Sequence, residues 1–357
     1  MLTIAEIAKL AGVSKTTVSN VLNGKLEQVG KETREKILKI IEESGYTPHQ
    51  AARALKSKRN RTIGLLFPHM PLRLVSNSFF FPGFLTGVAE ACERFGYQLL
   101  VTTSFKNCDT DFHYERLLKT RSIDGLIVSD VFYNDPRFAI LQKAHVPFVS
   151  IGKPEGAKLE GIYWVDHDQE HLAERATEYL VNLGHREIVF VGLSLQRVYT
   201  LQRLQGYKRT LEKAGIPFKE EFILCEEMWG TEAEERIASF LQGVSSFTAI
   251  FSVGGSLTFN CLRALEKMNL RVPQDVSLLG NLETENDRFL GIHLSGIRVK
   301  PRTLGYVTAK TLIELAEGKE VERSQVLEAE FVEGASCSRV HDCAHKRVVR
   351  EGGDNWL

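Results

Sequence analysis

The pentapeptide His167-Asp168-Gln169-Glu170-His171 has the residue types and the spacing of a hydrolytic metal site. In the pattern His-x-x-Glu-His, two histidines bind zinc and the glutamate acts as a general base. A zinc hydrolase is therefore one hypothesis for this chain. The pentapeptide also follows a strand-like run and opens a helix-like one, and that position accounts for the same residues without a metal.

A second group of Cys and His residues lies near the C-terminus. Its members are Cys337, His341, Cys343 and His345. Their spacing is not that of a zinc finger, so we expect a frayed tail over residues 339–357 rather than a metal site. The sequence contains no nucleotide-binding glycine loop and no serine-hydrolase elbow. We therefore expect a protein that is not an enzyme and uses no cofactor.

Residues 15–22 carry polar side chains suited to DNA. At helical spacing, Val18, Val21 and Leu22 face inward. The side chains that then point outward can bond to base edges or to phosphates, and they are Lys15, Thr16, Ser19 and Asn20. Taken alone, this pattern fits the solvated face of an amphipathic helix equally well.

The charge is unevenly distributed along the chain. It has 45 Lys and Arg and 45 Asp and Glu in all, but residues 1–61 hold 12 of the former and 6 of the latter. Such a basic segment indicates a local site for a polyanion. No apolar run is long enough to span a membrane, no signal peptide is recognisable, and the six cysteines lack paired spacing. We therefore expect a cytoplasmic protein with no membrane partner.

The first 45 residues are predicted to form three helices. Thr3 and Glu6 form a capping box at the start of the first helix, and Gly12 and Ser14 supply the turn and the start of the second. The third helix is predicted over residues 32–44. This is a helix-turn-helix arrangement, whose second helix enters the major groove of DNA. Residues 48–61 have too few apolar side chains to bury a helix, which predicts a linker.

From Thr62 onward, strand-like runs alternate with helical patterns, which predicts parallel sheets covered by helices on both faces. Residues 62–330 are long enough for two such units, with a ligand cleft between them. The predicted strands are residues 63–67, 98–102, 125–129, 148–151, 162–165, 188–192, 249–253 and 276–280. The predicted helices lie near residues 82–95, 111–120, 136–144, 168–183, 200–214, 231–241 and 256–268. The expected fold is an all-α helix-turn-helix headpiece followed by an α/β core of two doubly wound parallel-sheet subdomains.

Several separated strings over residues 2–338 resemble LacI/GalR-type transcriptional regulators. In the headpiece they are Thr3-Ile-Ala-Glu-Ile-Ala, Ala11-Gly-Val-Ser-Lys-Thr-Thr-Val-Ser-Asn-Val-Leu-Asn, Thr33-Arg, Gly45-Tyr-Thr-Pro and Ala52-Arg-Ala-Leu-Lys. In the core they include Asp124-Gly-Leu-Ile, Gly184-His-Arg, Arg203-Leu-Gln-Gly-Tyr and Leu270-Arg-Val-Pro-Gln-Asp-Val-Ser-Leu-Leu-Gly. The resemblance implies a sequence-specific, ligand-responsive repressor with a periplasmic-binding-protein-like core. The alternative is a sugar-binding protein without an operator function.

The resemblance also assigns DNA-contacting roles. The base-reading positions hold Lys15, Thr16 and Asn20. The phosphate-contacting positions hold Thr17, Ser19 and Asn23. Leu55 lies in the hinge motif, where the family inserts a leucine into the minor groove and unstacks one base step. A homodimer on a palindromic operator follows, because two headpieces related by a twofold axis read two half-sites.

An effector site is implied in the cleft. Arg203 matches the arginine that holds hydroxyls or carboxylates of effectors. Trp229 falls where an aromatic ring stacks on the ligand, although a core tryptophan fits its pattern as well. The remaining candidates lie in nearby matching loops, and they are Phe80, Lys153 and Arg197.

Three cleft positions depart from the family pattern. Gly280-Asn281-Leu282 stands where the family has Gly-[Tyr/Phe]-Asp and so lacks a carboxylate, for which Glu283 is a candidate substitute, and Ser256 replaces another aspartate. At the third position the family has a glutamine, and this chain has Ile297-Arg298-Val299 without one. A carbohydrate is the first hypothesis for the effector. An α-glucoside is favoured, because Phe80-Phe81 and Tyr163-Trp164-Val165-Asp166 resemble strings of glucoside-responsive members.

The expected domains are a headpiece over residues 1–47, a hinge over 48–61, an effector-binding and dimerisation core over 62–338, and a tail. Within the core, subdomain 1 is expected over residues 62–160 plus 295–322. Subdomain 2 is expected over residues 161–294 plus 323–338.

Overall fold

A computed structural model of the chain describes residues 2–22, 26–44, 59–67, 80–103, 118, 122–156, 160–282 and 293–340. The chain divides into two compact units, Met1–Arg61 and Thr62–Leu357. The first unit is helical over its described residues, and the second contains two β-sheets flanked by helices.

The helical unit opens with the predicted capping box. Thr3 Oγ1 accepts a hydrogen bond from the Glu6 amide at 3.3 Å, and the Glu6 carboxylate accepts one from the Thr3 amide at 2.7 Å. Gly12 ends the first helix with a φ of 73°, a left-handed conformation that glycine adopts readily. Ser14 Oγ starts the second helix by accepting a hydrogen bond from the Thr17 amide at 3.0 Å. The helices are α1 (Ile4–Ala11), α2 (Lys15–Leu22) and α3 (Lys31–Ser44), with a 3-10 turn at Leu26–Gln28.

A small apolar core holds these helices together. Each helix contributes residues at helical spacing, so that one face of each is buried. The buried residues are Ile7, Ala8, Ala11, Val18, Val21, Val29 and Ile37. Full burial of a valine or isoleucine stabilises a fold by roughly 1.5–3 kcal/mol, so this core suffices to orient three short helices.

The second unit contains two six-stranded sheets. The first has the spatial order β11-β5-β4-β3-β1-β2 and is parallel throughout. Its strands are β1 (Thr62–Phe67), β2 (Gln98–Thr103), β3 (Gly125–Val128), β4 (Phe148–Ile151), β5 (Tyr163–His167) and β11 (Ser324–Leu327). The second has the order β12-β10-β9-β8-β6-β7, with β12 antiparallel to β10. Its strands are β6 (Ile188–Gly192), β7 (Ile223–Cys225), β8 (Ala249–Ser252), β9 (Ser277–Leu282), β10 (Ser295–Arg298) and β12 (Glu330–Val332).

Both sheets are buried on their two faces by apolar clusters, as a parallel sheet requires. The helices of this unit are α4 (Phe80–Phe95), α5 (Pro136–Lys143), α6 (Gln169–Asn182), α7 (Val198–Lys213), α8 (Gly230–Gly243), α9 (Gly255–Lys267) and α10 (Pro301–Ala316). Helices α4 and α10 approach each other closely at Gly87, where a Cβ atom would lie 1.9 Å from the Arg302 carbonyl oxygen. Glycine is required there because any side chain would meet the backbone of the neighbouring helix.

The division of the core between the two sheets differs from the expected one. Strand β5 pairs with β4 and β11 in the first sheet, although residues 161–294 and 323–338 were expected in subdomain 2. Strand β10 pairs with β9 in the second sheet, although residues 295–322 were expected in subdomain 1. Within the described residues the chain passes between the sheets three times, after β5, β10 and β11. Hydrogen bonding between distant strands decides this division, and short-range sequence patterns do not contain it.

Apart from Leu118 and residues 59–61, the helix predicted near residues 111–120 and the hinge segment lie outside the described residues. Among the helices that the structure describes, none combines the length and the hydropathy needed to cross a membrane.

Candidate functional site

Helix α2 presents a polar face to solvent. Val18 and Val21 are buried in the headpiece core, which fixes the rotation of the helix about its axis. Lys15 and Thr16 are consequently exposed in its first turn. An ammonium and a hydroxyl at the N-terminus of such a helix can bond to base edges in a major groove.

The other predicted DNA contacts are partly engaged within the headpiece. Thr17 Oγ1 lies 2.9 Å from Ser14 Oγ, and Asn20 Nδ2 donates a hydrogen bond to Gln28 Oε1 at 3.1 Å. Ser19 is half-buried on the same helix. Asn23 and Leu55 lie outside the described residues. The polar face of α2 thus has two exposed side chains in its first turn, Lys15 and Thr16, and an Asn20 amide that is oriented by Gln28.

The second unit contains a cavity of about 190 Å³ at the carboxyl ends of strands from both sheets. Ligand sites in α/β proteins favour this edge. The first sheet contributes residues that follow or end β3, β4 and β5, and the second contributes residues near β6, β8 and β9. Among the polar and aromatic lining residues are Phe80, Phe81, Ser129, Asp130, Asp166, His167, Gln169, Arg197, Tyr199, Arg203, Trp229, Ser256 and Asn281.

Arg197, itself buried, lies at the centre of an ion cluster at this cavity. Its Nη1 bonds to Asp130 Oδ1, and its Nε and Nη2 bond to the Glu227 carboxylate at 2.8 and 3.0 Å. The guanidinium carbon lies 5.4 Å from the Phe132 ring centroid and 5.6 Å from that of Trp229. Burial opposes its charge, but Asp130 and the other neighbouring groups raise the pKa of Arg197 above its ordinary value. The guanidinium is therefore held by two carboxylates and two rings.

Arg203 is held by neutral groups. Its Nε donates to Gln169 Oε1 at 2.8 Å and its Nη1 to Asn281 Oδ1 at 3.1 Å. Gln169 in turn donates from Nε2 to Asp166 Oδ1 at 2.7 Å. Asn281 thus accepts a hydrogen bond from the arginine, one residue before the position where the sequence lacks the expected aspartate. Burial raises the pKa of Asp166, which also accepts hydrogen bonds from the amides of Lys153 and His167.

The zinc-hydrolase pentapeptide is split between two environments. His167 ends β5 and is 4% exposed inside the cavity, whereas His171 is exposed on the first turn of α6. The Glu170 carboxylate faces Arg209, whose Nη2 lies 2.9 Å away. Asp168 caps α6 by accepting a hydrogen bond from the His171 amide at 3.0 Å. Among the residues that the structure describes, no cluster of three His, Cys, Asp or Glu could hold a metal ion.

Five of the seven predicted effector residues line the cavity, namely Phe80, Arg197, Arg203, Trp229 and Ser256. Lys153 does not belong to the described lining, because its side chain is exposed and its backbone amide alone turns inward to Asp166. Glu283 lies outside the described residues. Trp229 precedes α8, is partly buried against the apolar cluster of the second sheet and also borders the cavity.

Four further residues line the cavity although sequence patterns did not predict them there, namely Asp130, Asp166, Gln169 and Tyr199. Asp130 and Asp166 had a detectable signal, since each is an acidic residue at the carboxyl end of a predicted strand. In two parallel sheets that share a cleft, such positions converge on the ligand site. His167 also lies close to the carboxyl end of a predicted strand, but the His-x-x-Glu-His pattern indicated a zinc ligand instead.

Comparisons with known proteins match both units. Residues 3–49 match the family "Bacterial regulatory proteins, lacI family", and residues 177–337 match a "Periplasmic binding protein-like domain". The chain is 31% identical over 327 residues to the HTH-type transcriptional repressor PurR of Escherichia coli O1:K1, covering 91% of this chain and 94% of that one.

Two solved structures share the fold. The transcriptional regulator CelR-cellobiose complex has a TM-score of 0.72 at 26% identity, covering 94% of this chain and 100% of that one. The lac repressor dimer bound to operator and the anti-inducer ONPF has a TM-score of 0.81 at 23% identity, covering 94% and 99%. The expected fold is confirmed, and relatives that are regulators argue against the zinc hydrolase. Similarity along nearly its whole length shows that the chain belongs to the LacI family of bacterial transcriptional regulators.

Proposed function

We propose that this chain is a repressor that binds a palindromic operator as a homodimer and is controlled by a small molecule in the cleft. The observation that carries the proposal is the cavity, where rings and buried hydrogen-bonding groups from both sheets converge in a chain that also has a helix-turn-helix. A regulator that responds to a ligand needs both parts. Because its target is chromosomal DNA, we place the protein in the cytoplasm.

In this proposal α2 reads the operator from the major groove. Lys15, Thr16 and Asn20 contact base edges, and Thr17, Ser19 and Asn23 contact phosphates. The exposure of Lys15 and Thr16 supports their role, since both reach solvent without rearrangement. Gln28 accepts a hydrogen bond from the Asn20 amide nitrogen, and none to the amide oxygen is seen among the described headpiece residues, so an adenine base would have to replace that glutamine.

A dimer supplies the specificity that one short helix lacks. Two headpieces related by a twofold axis read two half-sites, and each bidentate base contact is worth about 1–3 kcal/mol of discrimination. Leu55 of each hinge enters the minor groove at the centre of the site, where it unstacks one step and bends the DNA.

The proposed effector is a carbohydrate. Trp229 and Phe80 border the cavity and offer ring faces to the C–H face of a sugar, while Arg203 and Ser256 offer hydrogen-bonding groups. The related CelR structure holds cellobiose, so cellobiose and α-glucosides are the first compounds to test. Ligand binding acts on DNA affinity only if it favours one closure state of the two subdomains over the other, and the hinge over residues 48–61 is the segment that such closure would bias.

The test is fluorescence anisotropy with a pool of palindromic DNA sites at fixed salt, repeated with mono- and disaccharides, sugar phosphates and purines. We expect selective binding to one site class, shifted by one ligand. Lys15→Ala should reduce discrimination between sites. Lys39→Ala is the matched control, because Lys39 is an exposed lysine on α3 paired with Glu43. Weak binding that depends on salt and not on sequence would contradict the proposal.

A further inference from the structure

Asp130 presents an unused acceptor inside the cavity. It follows β3 and its side chain is 8% exposed. Oδ1 is bonded to Arg197, whereas Oδ2 is buried and accepts no hydrogen bond from the part of the chain that the structure describes. A buried carboxylate oxygen without a donor is costly, so a ligand that brings a donor to this oxygen gains affinity.

His167 presents a second unused atom in the same cavity. Its Nε2 is buried and has no hydrogen-bonding partner among the described residues. Burial, followed by the charge of Arg203, lowers the pKa of His167 to about 4, so the imidazole is neutral at physiological pH. A neutral imidazole nitrogen is a donor in one tautomer and an acceptor in the other. A ligand hydroxyl can donate or accept, so it can form a hydrogen bond with either tautomer. A hydroxyl can also donate the hydrogen bond that Asp130 Oδ2 lacks.

The ion cluster that includes Asp130 offers no uncompensated positive charge to a ligand anion. Arg197 already bonds to two carboxylates, those of Asp130 and Glu227, so the three groups together carry one net negative charge. Arg203 is bonded to two amide oxygens, and the Asp166 carboxyl lies directly behind Gln169. A phosphate or carboxylate placed beside Asp130 would have to displace it from Arg197 or lie against its carboxylate, and both cost free energy.

We propose that Asp130 determines effector specificity, with Oδ2 accepting a hydrogen bond from a hydroxyl of an uncharged ligand and repelling phosphorylated or carboxylated ones. His167 supplies a site for a second hydroxyl in the same cavity. The effector class is then a neutral, polyhydroxylated ring compound. This inference rests on the proposed function, in that the cavity is taken as the effector site.

The first arm of the test uses the unmodified full chain. Isothermal titration measures its affinity for matched pairs of neutral and phosphorylated sugars, namely glucose and glucose 6-phosphate, and trehalose and trehalose 6-phosphate, together with maltose and cellobiose. We expect at least one neutral sugar to bind and any phosphorylated counterpart to bind at least about tenfold more weakly. The assignment would be overturned if a phosphorylated sugar bound more tightly than its neutral counterpart. It would also be overturned if no neutral sugar bound at about 10 mM.

The second arm uses Asp130→Asn. This variant keeps an oxygen for Arg197 and replaces the carboxylate by an amide, and asparagine tolerates the left-handed backbone of Asp130, whose φ is 56°. We expect affinity for the neutral sugar to fall about tenfold or more and the preference over its phosphate to shrink. Glu174→Gln is the matched control, because that glutamate pairs with Arg209 outside the cavity. An unchanged preference in Asp130→Asn would overturn the assignment, and the first arm decides the case alone if that variant fails to fold.

The two proposals fail separately. Operator binding is measured on the same protein by anisotropy. If a phosphorylated ligand controls operator binding, the role of Asp130 is wrong and the proposed function stands. The regulator proposal fails if the protein selects no operator site. The specificity assignment still stands in that case if the preference for a neutral sugar over its phosphate shrinks in Asp130→Asn.

Discussion

Asp130 and Arg197 bond to each other across the cleft, from the loop after β3 to the residue that precedes α7. Beside them the Tyr133 amide donates to the Gln196 carbonyl at 2.8 Å, and the Val198 amide donates to the Val131 carbonyl at 3.0 Å. An ion pair and two backbone hydrogen bonds thus connect the two sheets at this point, in addition to the chain crossovers. The stability of the core and its ligand site depend on the same residues.

Arg197→Met should destabilise the core by about 3–5 kcal/mol, because it leaves the Asp130 carboxylate buried without its cation. The measurement is urea unfolding followed by tryptophan fluorescence, to which Trp164 and Trp229 of the core contribute. The matched control is Arg209→Met, which breaks a more exposed pair and should cost much less, because solvent screens exposed charges. Equal losses in the two variants would contradict the buried ion cluster.

His167 should make the core less stable in acid. Its pKa is about 4 in the folded chain against an ordinary 6.5, so the unfolded chain binds more protons between these values. This contribution to stability is intact above about pH 6.5 and is lost as the pH falls towards 4. It amounts to roughly 3 kcal/mol, since one pKa unit corresponds to about 1.4 kcal/mol.

The check on His167 is the free energy of unfolding measured from pH 4 to 7. His167→Gln should flatten the curve relative to the unmodified chain, whereas His171→Gln, at an exposed position, should not. The raised pKa of Asp166 acts in the opposite direction and is present in all three proteins. Parallel curves for the unmodified chain and His167→Gln would show that this histidine is not the titrating group.

Gly87→Ala should destabilise the core by about 1–3 kcal/mol or more, because the new methyl group would overlap the Arg302 backbone of α10. Gly243→Ala is the control, since a Cβ atom there meets nothing within 4 Å and the residue ends helix α8. It should leave stability unchanged or raise it slightly. Thermal unfolding of both variants compares the two positions, and a stable Gly87→Ala protein would be inconsistent with the close helix contact.

Leu55→Ala should weaken operator binding while sparing effector binding, because a methyl group cannot unstack a base step. Anisotropy with the selected operator gives the first quantity and isothermal titration with the effector gives the second. An operator affinity equal to that of the unmodified chain would refute the hinge assignment of Leu55.

The headpiece was predictable almost residue by residue because its signals are local. Thr3 and Glu6 lie three residues apart and Gly12 adjoins the helix that it ends, so short-range chemistry fixes both ends of α1. The buried central strands of the core were likewise evident, since runs such as β6 are apolar throughout. Such elements keep the same form whatever they pair with.

The parts that sequence did not reveal depend on distant partners. Strands β7, β10, β11 and β12 and helix α10 were not among the predicted elements, and the strands are short and defined by pairing. In the cleft, motif resemblance located Arg203 and Trp229, but the partner of Arg197 is 67 residues away. That separation explains why Arg197 was expected to be available to the effector when Asp130 in fact binds it.

The interleaved order of the strands also constrains how the chain acquires its structure. The first sheet receives its edge strand β11 and the second its edge strand β12 only after α10, from residues 324–332. While residues 324–332 have not yet been synthesised, a nascent chain on the ribosome lacks an edge strand in each of the two sheets. Domains commonly complete their folding one after another during synthesis. Here both sheets are completed by the same late segment, so neither can finish folding before the other has its last strand available.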